Sequence, residues 1–103
     1  MDFSQLGQML SAAQDMKATM DARLADTVVE ADSGGGAVTV RMNGKKELLK
    51  LTIAPAAAQA ASGDITMLED FIVAAVNAAV RKAEAAETTA AQSMLGNMGL
   101  PGL

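Results

Sequence analysis

The chain has 103 residues, half of them apolar but only two aromatic (Phe3 and Phe71), and a formal net charge of −4. That length holds one small domain with a thin core, which excludes a two-domain enzyme and makes self-association the natural way to enlarge the buried surface. With neither Cys nor His, disulfides, thiolate nucleophiles, the usual zinc ligand sets and Ser-His-Asp triads are excluded, so no catalytic residue and no metal ligand is assigned.

The N-terminal residues lack a basic segment followed by an apolar block, and no stretch approaches the roughly 18 apolar residues that span a bilayer, so the expected compartment is the cytoplasm. From Phe3 to about Ala25, Phe3, Leu6, Met9, Leu10, Ala13, Met16, Met20 and Leu24 recur at steps of three and four, the period of one helix face. Asp2 or Ser4 can cap this helix, and no proline interrupts it. At about 30 Å it outruns the short sheet that follows, so its free end should project or pair with a second copy. Methionine adapts to irregular contacts, which makes the Met9, Met16 and Met20 face a candidate dimer seam.

Three β-branched runs come next: 27–32, 37–42 and 45–53, separated by Ser33-Gly34-Gly35-Gly36 and by Asn43-Gly44. The triple glycine leads into a strand and not a helix, so it reads as a turn needing positive φ and not as a phosphate loop. Asn-Gly predicts a two-residue hairpin turn with Met42 opposite Lys45, Val40 opposite Glu47 and Val38 opposite Leu49. On that register Val38, Val40, Met42, Leu49, Leu51 and Ile53 share one surface, while Thr39, Arg41, Lys46, Leu48 and Lys50 share the other.

Residues 56–64 fit either a helical turn or a loop. Thr66-Met67-Leu68-Glu69 has the form of a capping box, which starts a second long helix with Leu68, Phe71, Ile72, Ala75, Val76, Ala79 and Ala83 as its buried stripe. Glu69 and Asp70 sit in its first turn, where the helix dipole favours carboxylates. The helix is predicted to reach about Ala91, giving a domain over residues 1–92 and a flexible Met/Gly/Pro tail over 93–103. The expected fold class is therefore α+β: a two-layer α-β-β-β-α arrangement with a three-stranded antiparallel meander in the order 1-2-3, both long helices on its apolar surface, and a dimeric state.

These residues resemble the YbaB/EbfC family of bacterial nucleoid-associated proteins. The resemblance rests on the Met- and Gln-rich first helix (Gln8-Met9 to Met20), on Ser33-Gly34-Gly35-Gly36 and on Val38 to Gly44. It continues through Leu51-Thr52-Ile53-Ala54-Pro55, Met67-Leu68-Glu69-Asp70 and Val73 to Lys82, and ends in the Met/Gly/Pro tail, covering nearly the whole chain in order. It implies an α-β-β-β-α homodimer whose helices extend as tweezer-like arms, bind duplex DNA with little sequence preference and influence nucleoid organisation and gene expression.

Residues 41–50 carry a local charge of +3 against −7 for the rest of the chain. Arg41, Lys46 and Lys50, with Lys45 near the turn, are candidate phosphate contacts, and the same lysines would also block edge-to-edge strand pairing. Arg81 and Lys82 match the family's paired basic residues on the second helix, and Lys17 and Arg23 lie on the polar side of the first. These four are candidate DNA contacts lining the space between two arms, with helical ion pairs such as Lys17 with Asp21 the simpler account of any one of them. The absence of Trp and Tyr leaves no platform for stacking unpaired bases. The expected partners are thus duplex DNA, through backbone contacts, and a second copy of the chain, with no cofactor, no membrane and no small-molecule substrate, in the cytoplasm at the nucleoid. A dimeric protein-interaction module of the same fold, with little or no DNA affinity, is the alternative that the acidic surplus supports.

Overall fold

The computed structural model describes residues 3–97. Its elements are α1 (Phe3–Asp26), β1 (Val28–Ser33), β2 (Val38–Asn43), β3 (Leu48–Ile53), α2 (Pro55–Ala60) and α3 (Thr66–Asn97). The strands form one antiparallel sheet in the order β1-β2-β3. The α+β class and the meander are as the sequence predicts.

The core lies between α3 and one face of the sheet. Ala31, Val38, Val40 and Met42 meet Ala75, Ala79 and Ala83, with Leu68, Phe71, Ile72 and Val76 packed around them. Every residue of the predicted α3 stripe takes part. Alanine at three successive turns lets the helix backbone approach the strands closely, so a core poor in large side chains still closes.

The β2–β3 connection differs from the predicted two-residue turn. Asn43 pairs through its backbone N–H with the Glu47 carbonyl (3.0 Å), and its side-chain Oδ1 accepts the N–H groups of Lys45 and Glu47, both at 3.0 Å. Its Nδ2 donates to Glu47 Oε1 at 2.8 Å, so this buried amide is held at both its oxygen and its nitrogen. The longer loop puts Lys46 at φ +66°, and the register becomes Val38 opposite Ile53, Val40 opposite Leu51 and Arg41 opposite Lys50. The displacement is four residues, an even number, so Leu51 and Ile53 still reach the core face. A bulge then pairs Met42 with Leu48 and leaves Leu49 exposed, where the sequence had placed it inside.

Three further departures concern the helices. Residues 55–60 form the short α2, started by Pro55 at its first position. The acceptor at the start of α3 is Asp64, whose Oδ1 takes the Thr66 N–H at 3.0 Å, in place of the predicted Thr66–Glu69 box. And α3 runs on through Asn97, because Ala90, Ala91 and Met94 continue its partly covered stripe and no proline falls within 66–97. The rest of the expected tail, residues 98–103, and the candidate cap Asp2 lie outside the described residues.

The expectation that both long helices cover the sheet holds only for α3. In α1, residues 3–19 are exposed on every side, Phe3 at 88% and Met9 at 69%, and Leu24 is the only buried residue. The sheet, about 20 Å along its strands, is too short for both a 32-residue α3 and a 24-residue α1. The molecule accordingly extends over 69 × 27 × 18 Å, with a radius of gyration of 19.8 Å where a compact chain of this length has about 13 Å.

Candidate nucleic-acid interface

Two of the eight Lys and Arg side chains predicted as contacts are held by carboxylates. Arg41, on the sheet face away from α3, lies between Glu30 on β1 and Lys50 on β3, and its Nε is 3.5 Å from Glu30 Oε1. Lys46 leaves the sheet altogether. Because β3 begins only at Leu48, Lys46 sits in the turn, and its Nζ lies 3.6 Å from Glu87 Oε2 on α3. The predicted sheet-face trio of Arg41, Lys46 and Lys50 is thereby reduced to Arg41 and Lys50. Both ion pairs are about half exposed, where such pairs contribute only about 0–1 kcal/mol, so neither locks its cation against a competing anion.

Lys82 has a different role. Its Nζ donates to the Glu30 carbonyl at 2.7 Å, satisfying an oxygen on the outer edge of the sheet. A lysine here covers an edge strand that would otherwise invite another chain.

Lys17, Arg23, Lys45, Lys50 and Arg81 make neither an ion pair nor a side-chain hydrogen bond among the described residues, and the predicted Lys17–Asp21 pair does not form. All five are exposed. They are distributed over α1, the β2–β3 turn, β3 and α3, so one protomer presents a broken basic surface and not a single patch. Sequence alternation placed Arg41 and Lys50 on one face correctly. It missed the carboxylates, because Glu30 comes from a third strand and Glu87 from a helix 41 residues on from Lys46.

The Met9 and Met16 positions are exposed and Met20 is half-buried. With Leu6 and Leu10 they form an uncovered apolar stripe along α1. The triple glycine is a turn: Gly34, Gly35 and Gly36 have φ of +63°, +67° and +97°, and the Gly36 N–H meets the Ser33 carbonyl at 3.2 Å. No group of three or more metal-ligating side chains occurs among the described residues, and no described helix is long and apolar enough to cross a membrane.

A model of the YbaB/EbfC DNA-binding family matches residues 1–98. Among curated relatives, a nucleoid-associated protein of Acidobacterium capsulatum is 58% identical over 97 residues, covering 91% of this chain and 90% of its own length. One from Anaeromyxobacter dehalogenans is 42% identical over 103 residues, with 100% and 98% covered. Among solved structures, an uncharacterized protein of Helicobacter pylori superposes with a TM-score of 0.76 at 30% identity, covering 92% of this chain and 98% of the other.

Proposed function

Because the chain belongs to the YbaB/EbfC DNA-binding family, we propose that it is a homodimeric nucleoid-associated protein that contacts the phosphate backbone of duplex DNA with little base discrimination. It would act at the bacterial nucleoid, influencing its organisation and gene expression. The observation that carries this reading is the pairing pattern of the charges: in a chain with more carboxylates than cations, six of the eight Lys and Arg side chains have no carboxylate partner among the described residues. Unpaired exposed cations are free to replace the counterions condensed on a polyanion.

The uncovered stripe of α1 supports the dimer. Apolar side chains repeated over five turns with no sheet beneath them lose most of their hydration cost when a second helix covers them. Twofold symmetry would also duplicate every free cation and bring modest basic groups from two protomers onto one duplex.

Fluorescence anisotropy with a generic duplex at several salt concentrations, run beside sedimentation equilibrium, tests both halves. A dimer whose affinity falls steeply with salt and differs little among duplex sequences is expected. A flat titration at low salt overturns the DNA reading. It would favour instead a protein-interaction module of the same fold, which the exposed Ile65, Met67 and Val73 at the start of α3 support. Met9→Glu/Met16→Glu should yield a monomer, and a dimer that survives both changes moves the seam off α1.

A further inference from the structure

Between the end of α1 and the second half of α3 lies a notch of about 340 Å³ lined by Arg23, Thr27, Ala86, Thr89, Ala90 and Ser93. Its lining has one cation, three hydroxyls and no carboxylate, in a molecule where acidic residues outnumber basic ones. Arg23 is one of the five unpartnered basic residues.

The three hydroxyls of the lining differ in what they already bind. Thr19, Thr27 and Thr88 each donate to the carbonyl four residues earlier, at 2.9, 2.8 and 3.1 Å, the usual way a helical threonine spends its proton. Thr89 and Ser93 make no such bond among the described residues, so both keep a proton to donate. They are four apart on α3, which stacks them on one side of the helix, toward Arg23 across the notch. Two of the C-terminal carbonyls of α1, which would repel an anion, are already occupied: the Arg23 oxygen by Thr27 Oγ1, and the Leu24 oxygen by the N–H groups of Thr27 and Gly44. Ala86 and Ala90 keep the space between the donors clear.

We propose that this notch seats one backbone phosphate of duplex DNA, with Arg23 supplying the charge and the Thr89 and Ser93 hydroxyls donating to its oxygens. A planar guanidinium beside two neutral hydroxyl donors suits the charged, acceptor-only oxygens of a phosphate diester. The proposal rests on the DNA-binding reading above and fixes where one of its contacts falls.

The test follows the amide spectrum of the full chain during titration with a generic duplex and, separately, with inorganic phosphate, and measures duplex affinity against salt for Arg23→Gln and for Thr89→Ala/Ser93→Ala. Alanine favours the helix at both positions, so the double variant keeps its fold. The expected result is a duplex-induced shift of the Thr27, Thr89 and Ser93 signals, roughly tenfold weaker binding by the double variant, and a salt slope lower by about 0.9 per protomer for Arg23→Gln. Restoration by Thr89→Ser with Ser93 intact would support the donor role of the hydroxyl. If the duplex binds with full affinity to both variants and these signals stay still, the notch is refuted while the DNA reading stands. Shifts with inorganic phosphate but none with duplex would overturn it as a DNA contact, and absence of duplex binding by the parent protein would overturn both.

Discussion

The Gly44 N–H donates to the Leu24 carbonyl at 2.9 Å, and a Cβ built on Gly44 would lie 2.8 Å from Leu24 Cδ2 and 3.0 Å from that same carbonyl oxygen. This contact joins the base of α1 to the β2–β3 turn. Gly44→Ala should therefore push against backbone as well as side chain and lower stability by about 1–3 kcal/mol, as other overpacked sites do. Urea denaturation checks it, with a fall in midpoint at constant slope as the expected form.

The triple-glycine turn gives an internally controlled comparison. Gly34 and Gly35 share nearly the same positive φ, yet a Cβ on Gly34 would lie 2.7–2.9 Å from the Phe71 ring, whereas one on Gly35 meets nothing within 4 Å. Gly35→Ala should cost the left-handed backbone penalty alone, about 1 kcal/mol. Gly34→Ala should cost a further 1–3 kcal/mol for displacing the ring. Equal thermal midpoints for the two variants would show that Phe71 yields freely.

Ala75, Ala79 and Ala83 are fully buried where α3 crosses the sheet. Ala79→Leu should lift the helix from Val40 and Met42 and destabilise by at least about 1–3 kcal/mol. Ala85→Leu, on the exposed side of the same helix, serves as the control and should stay within about 0.5 kcal/mol of the parent.

The exposed carboxylate of Asp64 accepts hydrogen bonds from the backbone and side chain of Thr66, which hold its pKa below the ordinary value. A depressed folded-state pKa means that the contribution is present above the unfolded value, roughly pH 4, and is lost as pH falls through the lower folded value. The stability difference between the parent and Asp64→Ala should accordingly narrow as the solution is acidified through that window. A constant difference from neutral to strongly acidic pH would show that the cap does not depend on ionisation.

The elements were legible where one periodicity dominated. The α3 stripe from Leu68 to Ala83 repeats at the helical period, and every member packs as read. The alternation of Val38, Val40 and Met42 likewise fixed the buried side of the sheet. The β2–β3 turn was misread because Asn43-Gly44 carries a strong hairpin signal, while the competing cause is a side chain: Asn43 collects two downstream amides and extends the loop to Glu47. Gly44 is needed there for its closeness to Leu24 and not for a positive φ. The ion pairs of Arg41 and Lys46, and the Thr89–Ser93 notch, involve elements brought together only by the fold.

The attachment of α1 by Leu24 at its root has a mechanical consequence. A rod of 24 residues is about 36 Å long, so a rotation of ~10° at that single anchor swings its far end by roughly 6 Å. The reach of the rod's tip is therefore set by the angle at its root, since residues 3–19 pack against nothing in the interior that would fix it.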